Sequence, residues 1–309
     1  MEKYITNQHR YYTLDFYLKE KFGCKVAKVA LNGNFSCPNR DGKISKYGCI
    51  FCSEKGSGDF AGNPSESLID QFNKIKKMTE GKWKTPKYIA YFQANTNTYG
   101  SMEKLHSLYD KAITLTEDVV CLSIATRPDC INEEICEYLG SLNKINPIWV
   151  ELGLQTIHQK TADFINRGYS LDIFENAVNL LRKHNIEVIV HIINGLPNET
   201  NEMMLETVKY LNKLDIQGIK IHSLFVLKNT ILGKLYEKEP FKIMTLPEYC
   251  DLVTEQLAIL RKDIVVHRVM GDAPRDLLIE PTWSIKKLVV MNEIDKLMKI
   301  KNYYQGIKN

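Results

Sequence analysis

No uninterrupted apolar run of about 18 residues occurs anywhere in this 309-residue chain, so the sequence offers no obvious membrane-spanning helix. The opening stretch, MEKYITNQHRYYTLDFYLKEKFG, is polar and aromatic and lacks the apolar core of a secretory signal. A cytoplasmic protein without a membrane partner is therefore expected. There is no low-complexity tract, no repeat beyond an alternation of strands and helices, and no Pro/Gly/Ser linker to mark a clean domain boundary. A disulfide framework is also disfavoured: in a reducing compartment the eight cysteines act as metal ligands, as catalysts or as small buried hydrophobes. Net charge is only +4, and 44% hydrophobic with 25% charged residues is ordinary globular composition, which excludes disordered and fibrous classes.

The small excess of charge is localised. Residues 284–309 carry six lysines against Glu293 and Asp295, and the segment NKIKKMTEGKWKTPK holds Lys74, Lys76, Lys77, Lys82, Lys84 and Lys87 around Trp83. Such clusters read either as solvated faces or as a surface that tracks phosphates.

Short Val- and Ile-rich runs recur along the chain: KVAKVAL (about 26–31), YIAYFQ (88–93), VVCLSIAT (119–126), IWVELGL (148–154), VIVHII (188–193) and IKIHSL (219–224). Segments with three-to-four-residue apolar spacing separate them, such as EKLHSLYDKAITL and IFENAVNLLRKH. Alternation of this kind predicts an α/β fold with a parallel sheet covered on both faces. Gln93, Thr126, Glu151, Gln155 and His191 fall at or near the C-terminal ends of successive strands, where a parallel barrel exposes its chemistry. The expected architecture is a partial (β/α)6 barrel of TIM type with an amphipathic N-terminal helix and a C-terminal extension. VVHRV (265–269) is a candidate edge strand, and WSIKKLVVMNEIDKLMKI reads as a terminal helix.

The densest chemistry lies in FSCPNRDGKISKYGCIFC, residues 35–52, where eleven residues separate Cys37 from Cys49 and two separate Cys49 from Cys52. Soft thiolates select zinc or an iron-sulfur cluster. A structural zinc site needs a fourth ligand, for which Cys24 is the nearby candidate. Without Cys24, three thiolates suit a [4Fe-4S] cluster with one open iron, whereas electron-transfer ferredoxin sites supply four. Inert cysteines are the third alternative.

This loop resembles the cluster loop of radical S-adenosylmethionine (radical SAM) enzymes, with eleven residues where the usual spacing has three. The expanded spacing is similar to that of the subgroup around the catalytic subunit of the eukaryotic Elongator complex, and more closely to bacterial proteins of the YtqA and YhcC type, a group that includes the tRNA-modifying MnmL enzymes. The resemblance runs through NFSCPNRDG, GCIFCSEKGSGDFAG, YIAYFQANTNTY, SIATRPDC, VELGLQT, HIINGLPNET, GIKIHSLFVLKNT and GDAPRDLLIEPTWS. It implies a radical SAM core over 1–240, with the cluster loop at 33–62, and an extension over 241–309 packed on that core.

The resemblance further implies a [4Fe-4S] cluster on Cys37, Cys49 and Cys52, S-adenosyl-L-methionine on its open iron, and a 5'-deoxyadenosyl radical as the reactive species. Phe51 would lie against the adenine, and Gln93, in place of the usual glycine-rich motif, would contact the cofactor. Gln155 and Arg167 resemble a cofactor-binding pair of the coproporphyrinogen-oxidising relatives, the amide for a ribose hydroxyl and the guanidinium for the methionine carboxylate. His191 stands where relatives place a polar residue near the adenosine. Tyr169 replaces a histidine common in relatives. Arg127 with Asp129 would support the cofactor site or touch substrate, and the loop of Asp272, Arg275 and Asp276 would cover the barrel mouth and recognise substrate. The implied partners are tRNA carrying a modified wobble uridine and an electron donor of flavodoxin or ferredoxin type. A small-molecule or tetrapyrrole-type substrate, and a zinc-stabilised binding protein, are the competing readings.

Overall fold

A computed structural model describes residues 2–6, 8–80 and 87–309. Lys82, Trp83 and Lys84 of the second lysine segment lie outside the described residues. Strands β1 (Val26–Leu31), β2 (Lys87–Phe92), β3 (Val119–Thr126), β4 (Ile148–Gln155), β5 (Glu187–Asn194) and β6 (Gly218–Ser223) follow the six apolar runs to within a residue or so at each end. They are joined by β7 (Val226–Leu227), β8 (Val265–Arg268) and β9 (Leu278–Glu280). Seven strands form one parallel sheet in the order β1-β2-β3-β4-β5-β6-β8, curled into a half-barrel, while β7 and β9 pair antiparallel beside it. The barrel is thus partial, as expected, with VVHRV supplying a seventh, edge strand.

The helices are α1 (Leu14–Phe22), α2 (Leu68–Glu80), α3 (Met102–Ile113), α4 (Glu133–Leu142), α5 (Gln159–Phe164), α6 (Leu171–Lys183), α7 (Asn201–Leu211), α8 (Ile231–Lys238), α9 (Leu246–Ile259) and α10 (Lys287–Ile300). Their ends are written in short-range chemistry. Thr13 and Thr200 accept from the third backbone N–H of α1 and α7, and Thr245 with Glu248 closes a reciprocal capping box on α9. The proposed terminal helix begins four residues late, because Thr282–Ile285 forms a separate 3-10 turn.

Alternate residues of each strand point into the half-barrel. The lowest tier, Ile89, Cys121, Trp149 and Ile189, is apolar and sealed from beneath by Leu18 of α1. Above it come Lys28, Tyr91, Ser123, Glu151, His191 and Lys220, then Ala30, Gln93, Ala125, Gly153, Ile193 and His222 towards the mouth. The opposite strand faces, rich in Val, Ile and Leu, bury against the outer helices in the main core. After residue 240 the chain stays in contact with this body: β8 extends the sheet, and α9 packs on α7 and α10.

Candidate active site

The C-terminal ends of the strands open on a cavity of about 1380 Å³ lined by Cys37, Cys49, Phe51, Cys52, Gln93, Gln155 and His191. Residues widely separated in sequence therefore meet where a parallel barrel concentrates its chemistry.

The cysteine loop is held as a unit. Asn39 donates through Nδ2 to the Asn166 carbonyl at 2.7 Å and lies 3.6 Å from Cys49 Sγ, while Asn166 returns a bond to the Gly48 carbonyl at 2.7 Å. Arg40 donates to the Ser53 and Glu54 carbonyls at 2.7 and 2.9 Å. Gly56 adopts φ +59°, and a Cβ there would stand 1.9 Å from Asn95 Oδ1, so the loop presses backbone directly onto the end of β2. Of the close pair, Cys52 ionises first. The hydrogen bond from Cys49, the Ser57 hydroxyl and the Arg40 and Arg127 guanidinium groups draw its thiol down to about 6 against the cost of burial.

Among the described residues no three Cys, His, Asp or Glu side chains gather about one point closely enough to hold a single ion. A cluster that takes one thiolate on each of three irons fits such a loop, whereas one zinc needs four donors at about 2.3 Å or less. Cys24 corrects the zinc alternative. It packs with Leu14, Tyr17 and Phe22 at the sealed end of the barrel, and β1, at about 3.3 Å per residue, puts roughly 20 Å between it and the loop.

Gln155 closes β4 with φ +62°, a left-handed backbone at a register shift against β5. A Cβ on Gly153 would lie 2.4 Å from Gln155 Nε2, so this glycine makes room for the amide. Tyr169 donates to the Gly153 carbonyl and, at 3.3 Å, to Gln155 Oε1. Its ring lies between the Arg127 and Arg167 guanidinium groups, 4.8 and 4.7 Å from its centroid. The tyrosine in place of histidine is thus a wedge that fixes Gln155.

Arg167 departs from expectation. It is fully buried, does not line the cavity, and spends its guanidinium on the carbonyls of Leu154 (2.8 Å), Thr156 (2.7 Å) and Tyr169 (2.9 and 3.1 Å). The turn after β4 takes four of its five N–H donors, which leaves no two-pronged fork for a carboxylate. Arg127 does line the cavity. Asp129 holds its Nε and Nη2 at 2.9 and 2.7 Å, leaving Nη1 without a hydrogen bond among the described residues.

Beneath the mouth lies an ionic floor that the sequence reading missed. Buried Glu151 accepts from Lys28 at 2.8 Å and Ser123 at 2.7 Å through Oε1, and from His191 at 2.7 Å and Lys220 through Oε2. Burial alone would raise this carboxyl, but Lys220, Lys28 and the His191 bond hold it well below the carboxylate range. His191, which stacks on His222 with centroids 5.2 Å apart, is pushed down to about 4 by burial and by Lys220, and is neutral at pH 7. The available signal was alternation: Lys28 and Lys220 stand at inward positions of strands, each flanked on both sides by apolar residues.

A curled half-barrel of parallel strands, with three thiols on the loop after β1 and polar strand ends around them, has the architecture of an α/β enzyme whose mouth offers soft donors beside a polar pocket. Sequence comparison agrees: the model of the radical SAM superfamily matches residues 42–211, that of the Radical_SAM C-terminal domain matches 216–300, and the chain belongs to this superfamily. Its members carry a [4Fe-4S] cluster and S-adenosylmethionine. The chain is 49% identical over 303 residues to the uncharacterized protein YtqA of Bacillus subtilis, covering 98% of this chain and 94% of that one. It is also 28% identical over 165 residues to a tRNA uridine(34) acetyltransferase of Methanocaldococcus jannaschii, covering 52% of this chain and 30% of that one. In fold it is similar to the Elp3 protein of Methanocaldococcus infernus, with a TM-score of 0.66 at 19% identity, over 91% of this chain and 64% of that one.

Proposed function

We propose that this protein is a tRNA-modifying radical SAM enzyme that converts 5-carboxymethylaminomethyl uridine at the wobble position to 5-aminomethyl uridine, the N–CH2 carbon being oxidised and its N–C bond hydrolysed so that the carboxymethyl carbons leave as glyoxylate while S-adenosylmethionine becomes 5'-deoxyadenosine and methionine. The observation that carries the reading is a deep, cation-rimmed cavity, in a chain with sequence similarity to an enzyme named for uridine 34 of tRNA. A [4Fe-4S] cluster held by Cys37, Cys49 and Cys52 would supply the one-electron reduction that activates S-adenosylmethionine for hydrogen abstraction. The chain's own residues supply the rest. Cys37, Cys49 and Cys52 hold the cluster, Phe51 presents an apolar face to the adenine, and Gln93 and Gln155 offer amides to the cofactor's polar groups. Arg127, not Arg167, is the cation for the methionine carboxylate, because, of the two, Arg127 alone lines the cavity, and it keeps a free donor there. His191 stays neutral and fixed by Glu151, facing the adenosine side.

Lys55, Lys228 and Arg275 stand exposed on the rim, where RNA phosphates would meet them. A flavodoxin- or ferredoxin-type donor completes the reading. One observation favours a small-molecule substrate instead. Four of the six C-terminal lysines are already ion-paired, Lys287 with Asp272, Lys296 with Glu293, Lys301 with Asp251 and Glu255, and Lys308 with Glu255. Nucleoside analysis of tRNA from a deletion strain decides between them. Accumulation of the carboxymethylaminomethyl nucleoside supports the tRNA reading, and an unchanged wobble-uridine profile removes it.

A further inference from the structure

The ionic floor holds one cation more than its acids can use. Glu151 is saturated: two oxygens offer about four lone-pair sites, and Lys28, Ser123, His191 and Lys220 occupy them. Arg268, at the end of β8, lines the same cavity yet forms no hydrogen bond among the described residues. Its nearest carboxylate, Asp272, stands 4.0 Å away and is bound at 2.7 Å by Lys287. Beside it, His222 buries its Nε2 with no partner. A guanidinium with unused donors on a cavity over two lysines, next to an imidazole nitrogen buried without a partner, calls for an anion.

We propose that Arg268 and His222, above the Lys28 and Lys220 pair, form the subsite for a carboxylate carried on the substrate's reacting arm. Depth selects the class of anion. The Lys220 side chain is only 3% exposed, and the tier beneath it is closed by Trp149 and α1. A phosphodiester, flanked on both sides by nucleosides, cannot descend so far; a carboxylate ending a thin chain can. The planar fork of Arg268 suits its two oxygens, and His222 donates to one of them. The identity of the arm as carboxymethylaminomethyl rests on the function proposed above, whereas the anion subsite stands on the floor's geometry alone.

The test has two arms. In the first, reconstituted enzyme with S-adenosylmethionine bound, so that the cofactor's carboxylate position is filled, is titrated with N-methylglycine by saturation-transfer NMR, alone and in competition with inorganic phosphate. The wild type should bind N-methylglycine in preference to phosphate, Arg268→Gln should weaken it about tenfold, equivalent to roughly 1.4 kcal/mol, and Arg268→Lys should recover part of the loss. Phosphate preferred over carboxylate, or equal binding by wild type and Arg268→Gln, overturns the subsite. In the second, the KM for tRNA bearing the carboxylate nucleoside is compared between wild type and Arg268→Gln. Variant-sensitive binding in the first arm with no turnover of tRNA by the wild type upholds the subsite and removes the tRNA reading. Turnover by the wild type with KM and kcat unchanged in the variant does the reverse.

Discussion

Arg167 and Arg127 show how one residue type serves two purposes beyond neighbouring strand ends. The Arg167 side chain ties down three carbonyls, so Arg167→Ala should cost on the order of 3 kcal/mol or more by leaving them unsatisfied. Thermal melting checks this. By contrast Arg127→Lys, which keeps the charge and loses the planar fork, should weaken S-adenosylmethionine about tenfold with little change in melting temperature. A large melting change with unaltered cofactor affinity would reverse the two roles. His191 carries a pH signature. Its pKa falls to about 4 in the fold from an ordinary 6.5, so between these values the unfolded chain binds the extra proton and stability declines as pH falls. The loss is about 1.4 kcal/mol per pH unit below 6.5 for this residue, and the partly buried His222 and His267 shift in the same direction. Urea titrations at pH 7 and 5 should show a shallower loss for His191→Gln; equal losses would contradict the assignment.

At the scale of elements, the strands were legible because a both-faces-buried strand is a short apolar run, and the six runs sit where the sheet has them. Three thiols on one loop were legible for a similar reason, since their spacing is local. The pairing of that loop with β2 was not. Nothing in GSGDF announces that the Gly56 backbone must touch Asn95, a contact set by the curl of the sheet. Gly56→Ala should therefore lose cluster during anaerobic purification, seen as a lower iron-to-protein ratio, while far-UV circular dichroism stays unchanged. Retained iron would show that the loop needs no such contact. The Glu151 floor escaped for the opposite reason. Its members come from different strands, and only the tier-by-tier stacking of inward residues brings Lys28, Glu151, His191 and Lys220 to one level.

For the whole molecule, composition constrained less than the pattern of pairing does. Among the described residues no helix is long and apolar enough to cross a membrane. A charge of +4, in a chain where four of the six C-terminal lysines are matched to nearby acids, makes a weak general polycation. Binding of tRNA should then depend on the cavity rim, with Lys228→Gln and Arg275→Gln each reducing the slope of log affinity against log salt by about 1. Substitutions of Lys301 and Lys308 should leave that slope alone. The central claim is that three thiolates, without Cys24, hold the cluster of a radical SAM enzyme acting on wobble uridine. Its most direct test incubates anaerobically reconstituted Cys24→Ala protein with S-adenosylmethionine, a reductant and tRNA bearing 5-carboxymethylaminomethyl uridine. The account predicts 5'-deoxyadenosine and 5-aminomethyl uridine appearing together, from protein that retains iron and sulfide. Colourless protein that yields neither product would contradict it.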